Sequence, residues 1–207
     1  PHTVPFAAAV LEKPNPGELG ADFLGRLLAS KATSAFAAKA LAQAFDRQEL
    51  SHRFLIDMFY GAREQLDWVK GYIDSKYAAA ELPASFYKEL LADPRHSKFP
   101  TYYASPVEQY ALKALAAYTP AAIGPDWLVD NAIHPRLGTQ VQKWLMRADA
   151  LPGLDAERVK GLVFNAKYRE VALALLGNRK LFSARQLTVP WLLALARRAG
   201  PALHEVA

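Results

Sequence analysis

Residues 127–145 read Trp127-Leu128-Val129-Asp130-Asn131-Ala132-Ile133-His134-Pro135-Arg136-Leu137-Gly138-Thr139-Gln140-Val141-Gln142-Lys143-Trp144-Leu145. An aromatic residue and an apolar neighbour open a helical pattern. His134-Pro135-Arg136 interrupts it, because proline lacks the amide donor a helix interior needs and its ring collides with the preceding turn. The apolar periodicity then resumes and reaches Leu145. The stretch predicts helix A, a tight turn and helix B. One such pair of short amphipathic helices cannot bury its apolar side alone, so the pattern is expected to recur.

It recurs along the chain. The opening dyad is found at Phe23-Leu24, Phe54-Leu55, Phe86-Tyr87, Trp127-Leu128 and Trp191-Leu192, with Arg158-Val159 in the same slot of the fifth pair. The interval is roughly 32 residues except for one longer step between the third and fourth anchors. A turn follows each anchor: Ser30-Lys31-Ala32, Gly61-Ala62-Arg63, Asp93-Pro94-Arg95, His134-Pro135-Arg136, Asn165-Ala166-Lys167 and Arg198-Ala199-Gly200-Pro201. A leucine column lies in the second helices at Leu41, Leu115, Leu145 and Leu175. Leu115 lies further from its anchor than the others do. The long interval and the late leucine share one cause, an insertion near His96–Ser105 between the two helices of the third pair.

The links carry start signals. Pro125 and Pro190 suit a first helical turn, where no amide donor is required. Asp155 suits an N-cap, and Gly177 a helix end. The alanines of residues 35–44 allow close approach between layers, and the large anchors are expected to fill the wider gaps. No strand is needed. The predicted fold class is all-α, a right-handed α-α superhelix (solenoid) of about six antiparallel helix pairs, the last one truncated. An N-terminal extension of residues 1–17 precedes a single domain of residues 18–207, with pairs near 18–45, 46–78, 79–119, 120–149, 150–181 and 182–207.

The turns Asp93-Pro94-Arg95 and His134-Pro135-Arg136, placed between helices A and B, make the chain similar to the HEAT-like family of α-helical repeats, as a short-period variant. The tetratricopeptide pattern of Trp, Leu-Gly and Tyr is absent. The resemblance implies a scaffold or recognition surface, and since some HEAT-like proteins bind DNA it does not choose the partner.

Composition narrows the function. Of the chain, 52% is hydrophobic and 22% charged, which suits a packed domain rather than a disordered tail. Cysteine is absent, so disulfides and thiolate metal sites are excluded and a cytoplasmic location is expected. No apolar run reaches the roughly 18 residues needed to span a bilayer, so no membrane partner is expected. The chain does not begin with Met, and the expectation is a processed chain or part of a longer one. The net charge of +5 is uneven. Residues 1–119 hold 13 basic and 13 acidic side chains, whereas residues 120–207 hold 12 and 7.

No catalytic, cofactor-binding or metal-binding residue is expected. The five histidines lack metal-ligand spacing. His134 reads as a turn residue that caps or faces solvent. Asp126 and Asp130, one helical turn apart, read as a solvated face near a helix N-terminus. Two regions carry functional expectations. The insertion offers His96, Lys98, Phe99, Tyr102 and Tyr103, a mixture suited to protein hot spots or stacked bases. The C-terminal basic set, Arg158, Lys160, Lys167, Arg169, Arg179, Lys180 and Arg185, offers an edge for phosphates. The expected function is a non-catalytic helical-repeat scaffold or protein-interaction module. The alternative is a HEAT-like solenoid that binds nucleic acid along that basic edge. The C-terminal end, exposing Trp191, Leu192 and Leu195, is expected to be covered by further repeats or a partner.

Overall fold

The computed structural model describes residues 15–95, 105–148, 151–183 and 185–198. Among them the chain is all-helical, with no strand. Thirteen helices follow in order: α1 (Pro16–Leu19), α2 (Ala21–Leu28), α3 (Ser34–Ala44), α4 (His52–Phe59), α5 (Arg63–Lys76), α6 (Ala84–Ala92), α7 (Pro106–Leu115), α8 (Pro120–Ile123), α9 (Pro125–Asn131), α10 (Gly138–Arg147), α11 (Ala156–Leu162), α12 (Arg169–Gly177) and α13 (Val189–Arg198). The described residues fall into two compact units, one up to Ala114 and one from Leu115. In the first unit α2 packs on α3 and α4 on α5, and α5 also packs on α2 and α3. In the second α9 packs on α10 and α11 on α12, and α10 also packs on α12.

The helices stop at the expected turns. α2, α4, α6, α9 and α11 end before residues 29–33, 60–62, 93–95, 132–137 and 163–168. The first helices run 7 to 9 residues, shorter than an isolated helix can sustain in water. Packing must hold them, and the buried positions show how. Each first helix, taken with its C-cap in the last two pairs, buries residues one turn apart: Leu24 and Leu28, Leu55 and Phe59, Phe86 and Leu90, Leu128 and Ala132, Val159 and Val163. Each second helix does the same with Ala37 and Leu41, Val69 and Ile73, Ala111 and Leu115, Val141 and Leu145, Val171 and Leu175. Residues four apart lie on one helix face, so each pair is the seam between neighbouring helices. Burying one such leucine contributes roughly 2 kcal/mol.

The large anchor is not the deepest residue of its dyad. Phe23, Trp127 and Arg158 are only half-buried, while Leu24, Leu128 and Val159 are inaccessible. In the third pair alone the aromatic itself, Phe86, takes the deep seat. The second pair, which lacks the column leucine, fills that place with Ile73.

The turns are closed by side chains that bind carbonyls left over at the ends of the first helices. Gln142 Nε2 donates to Ala132 O at 2.6 Å, Arg169 Nε to Val163 O at 3.3 Å and Thr33 Oγ1 to Leu27 O at 2.6 Å. Gln65 links two pairs: its Nε2 donates to Gly25 O at 2.7 Å and its Oε1 accepts from Ala62 N at 2.6 Å. His134 caps as expected, its Nδ1 accepting from the amides of Arg136 and Leu137 at 3.3 Å. Asp155 is the N-cap of α11, accepting from Glu157 N at 3.0 Å.

The two units repeat one plan. Each opens with a four-residue helix, α1 or α8, that has proline at its start and is capped by Asn15 or Thr119. Each then turns at a glycine with positive φ, Gly20 (75°) or Gly124 (102°), a conformation that L-residues with a side chain rarely adopt. The correspondence continues through the buried seams, one constant interval separating Leu24 from Leu128, Leu28 from Ala132, Leu41 from Leu145, and Leu55 from Val159.

Candidate interaction surface

The insertion residues His96, Lys98, Phe99, Tyr102 and Tyr103 lie outside the described residues. Both stems of the insertion are well held. On one side Asp93 accepts from Arg95 N at 2.9 Å and pairs with its guanidinium at 2.7 Å, while Arg95 also reaches Asp57 at 3.0 Å and lies over the Tyr60 ring at 4.3 Å. The Arg95 hydrogen bond holds the Asp93 carboxyl below the usual range, and burial pushes the Tyr60 hydroxyl up. On the other side Ser105 and Glu108 form a reciprocal cap: Glu108 Oε2 accepts from Ser105 N at 2.7 Å and Ser105 Oγ accepts from Glu108 N at 3.1 Å.

The basic set is divided in two by its neighbours. Arg158 extends from α11 to α9, where it pairs with both Asp126 and Asp130, the latter at 2.6 Å. Asp126 and Asp130 are therefore the jaws of a clamp as well as an acidic helix face. Lys160 is buried, with 4% of its side chain exposed; its ammonium donates to Glu157 at 2.7 Å and lies 5.7 Å from the Trp191 ring centroid. Lys167, Arg179, Lys180 and Arg185 are exposed, and Arg169 is half-exposed while its Nε serves the Val163 carbonyl.

Pairing also reveals cations that the sequence reading did not single out. In the second unit Asp126 and Asp130 serve Arg158, Glu157 serves Lys160 and Asp155 caps α11. Of the described acids there, Glu170 alone has no such role. Lys143, Arg147, Lys167, Arg169, Arg179, Arg185 and Arg197 have no carboxylate partner among the described residues of that unit. The first unit differs, since Arg47 pairs with Glu81, Arg53 with Asp57, Arg63 with Asp67, and Arg95 with Asp57 and Asp93.

Exposed apolar groups are distributed the same way. Among the described residues the large apolar side chains on the surface are Met146 (41% exposed), Phe164 (41%), Val189 (68%) and Leu193 (52%), all in the second unit. At the α13 end this differs from the expected set, because Leu195 is buried and Trp191 and Leu192 are half-buried. The signal for Met146 was present in the run Trp144-Leu145-Met146: three successive apolar residues on one helix cannot all face one core. Met146 borders a groove of about 460 Å³ between α10 and α12. Ile133, Val171, Ala166 and Ala174 supply its apolar lining, and Gln142, Lys167 and Glu170 its polar rim.

The first unit contains a cleft of about 510 Å³ between α2 and α4, lined by Asp22, Arg26, Arg53, Phe54 and Asp57 among others. Its charges balance, two acids against two bases, and Arg53 and Asp57 are bound to each other at 3.1 Å. Among the described residues no group of three or more acids and histidines could hold a metal ion, and no helix is long and apolar enough to cross a membrane. Comparison of the chain with family models, with curated proteins and with solved structures yields no match.

Proposed function

We propose that this chain is a non-catalytic helical-repeat scaffold, a HEAT-like solenoid of short period that binds another protein through its second unit. The observation that supports this reading is the coincidence there of exposed apolar side chains with unpaired cations. Most large apolar groups belong inside, and the groove at Met146, apolar in its lining and polar at its rim, is the kind of surface that marks a contact. Methionine suits such a surface because its flexible, polarisable side chain adapts to differently shaped partners. A proteinaceous partner in the cytoplasm fits the cysteine-free composition.

A test is peptide display against the full chain, followed by hydrogen-exchange footprinting of the selected binders. Binders that protect amides of the second unit are the expected result. No binder that survives in solution, together with duplex binding at about 50 mM salt that collapses by about 200 mM, would overturn the protein-binding reading.

The nucleic-acid alternative rests on a different set from the one the sequence suggested. Arg158 and Lys160 are committed to internal carboxylates. The cations without a carboxylate partner among the described residues are Lys167, Arg169, Arg179 and Arg185, joined by Lys143, Arg147 and Arg197. Phosphate contacts need cations but not exposed Met146 or Leu193, and the apolar groups therefore favour a protein.

A further inference from the structure

We infer that the groove between α10 and α12 receives one amphipathic helix whose polar face is acidic. The inference rests on the protein-binding reading and adds the place and the partner's chemistry. The groove runs between the second helices of successive pairs. Small residues, Ala166 and Ala174, border it, and Met146 stands at its edge with Val171 and Ile133. Small groups on the α12 side of a shallow trough allow another helix to approach closely, its own apolar side chains seated against Met146 and Ile133 on the α10 side. Partner helices are read in this way through anchors spaced one turn apart. α10 has 10 residues and so offers about 15 Å of length, or close to three turns of a docked helix.

Charge chooses the sign of the partner. Lys167 is on the rim and exposed, and Lys143 and Arg147 rise from the exposed surface of α10. Glu170 is the one acid at the groove. Among the described residues the remaining acids of the unit are engaged with Arg158, with Lys160 or with a helix start, and none of them is paired with these cations. A partner with carboxylates beside its apolar stripe gains attraction along the rim, and a basic one meets like charge. Complementarity of this kind governs encounter and selectivity more than final affinity. A nucleic acid would satisfy the cations and leave Met146 and Ile133 uncovered.

The test uses the full chain and a fluorescein-labelled synthetic helix of about 14 residues, with leucines at i, i+3, i+4 and i+7 and glutamates on the other face. A twin with lysine in place of glutamate and a single-stranded oligonucleotide complete the probes. Fluorescence anisotropy should show the acidic helix binding more tightly than either. Met146→Glu and Lys167→Glu should each weaken it by roughly ten-fold or more. Lys39→Glu, at the position in α3 that corresponds to Lys143, should leave it within about two-fold, well under that ten-fold step. Met146 and Lys167 are exposed, so thermal melts should superimpose on the parent's; Met146→Gln and Lys167→Gln repeat the test with smaller perturbation and the same direction. Equal binding of the lysine twin, preference for the oligonucleotide, or unchanged affinity in the groove variants would overturn the inference. Displayed peptides that footprint on the second unit away from the groove, or that are basic, would remove the groove and leave the interaction reading standing, whereas a footprint on the first unit would overturn both. Absence of any peptide binder would remove both.

Discussion

Gly138→Ala is expected to destabilise the protein, against the direction that helix propensity alone predicts. Gly138 is the first residue of α10 and is buried. Alanine is the better helix former by up to about 1 kcal/mol, and less in the first turn. The obstacle is backbone: a Cβ built on Gly138 would lie 2.7 Å from the carbonyl oxygen of Ala132 and 3.3 Å from its carbon. Attractive carbon contacts begin near 3.5 Å, so something must move by several tenths of an ångström. The group that must give is not a free side-chain end. Ala132 O accepts the Gln142 amide at 2.6 Å, and Gly138 N donates to His134 O at 2.8 Å. Losing the first bond costs about 1 kcal/mol and the forced overpacking about 1–3 kcal/mol. Set against the propensity gain, the net loss is about 2 kcal/mol, or a melting temperature lower by about 4–8 °C. Urea titration followed by circular dichroism would measure it, with Gly71→Ala and Gly161→Ala as internal references. Both glycines lie inside helices, α5 and α11, with nothing within 4 Å of the added carbon, so both should gain about 0.5–1 kcal/mol. If Gly138→Ala matched those two in sign, the reasoning about the Ala132 carbonyl would be refuted.

Three other outcomes follow from named contacts. Ser105→Ala removes the acceptor for the Glu108 amide and should lower stability by about 1 kcal/mol in denaturant titration; no loss would mean the reciprocal cap is not formed in solution. Asp93→Asn should flatten the acid limb of the stability profile. The folded carboxyl is held below its ordinary 3.8 by Arg95, so its contribution is complete above that value and disappears as pH falls through the lowered one; an unchanged acid limb would count against the Asp93–Arg95 pair. Arg158→Gln should cost under about 1 kcal/mol because Asp126 and Asp130 are largely exposed, and the difference should shrink as salt is raised, whereas a salt-independent loss would point to packing instead.

The helix pairs were legible because proline, glycine and the apolar period all act locally. Every turn named from the sequence and lying within the described residues separates two helices. Depth within the core was less legible. A Phe or Trp looks like the core residue of its dyad, yet in most pairs its smaller neighbour is the inaccessible one, since helix rotation is set by the partner surfaces. The links carried a signal that went unread. Gly17-Glu18-Leu19, Gln48-Glu49-Leu50 and Ala80-Glu81-Leu82 each precede a first helix. In the last two the carboxylate reaches back to the amide of Asp46 or Ala78, at 2.6 and 2.7 Å, and Leu50 and Leu82 are buried. Gln186 does the same for Ser183 at 2.8 Å. Charge was legible as a sum but not as a surface. Arg158 and Lys160 look like the start of a basic stripe until Asp126, Asp130 and Glu157 are found beside them, contacts made across dozens of residues or, for Glu157, along one helix face.

That redistribution of charge gives the two units different surfaces on a common plan. Both open on a short helix and a positive-φ glycine, and both bury the same ladder of one-turn pairs. Their anchors diverge at one matched position, Phe54 in the first unit and Arg158 in the second. The Phe54 ring lies where a side chain on Gly25 would meet it, 2.8 Å from a built Cβ, and so joins two pairs through apolar contact. Arg158 joins the corresponding pairs through two carboxylates. The ionic solution uses up two acids of the second unit with one base, and Lys160 takes another. A unit with a modest basic excess is left with Lys143, Arg147 and Lys167, which pair with no carboxylate among its described residues. The same substitution that holds α11 to α9 thereby leaves positive charge on the unit whose surface also carries Met146, and it is this coupling of clamp to external charge that the proposed acidic, apolar-striped helix would read.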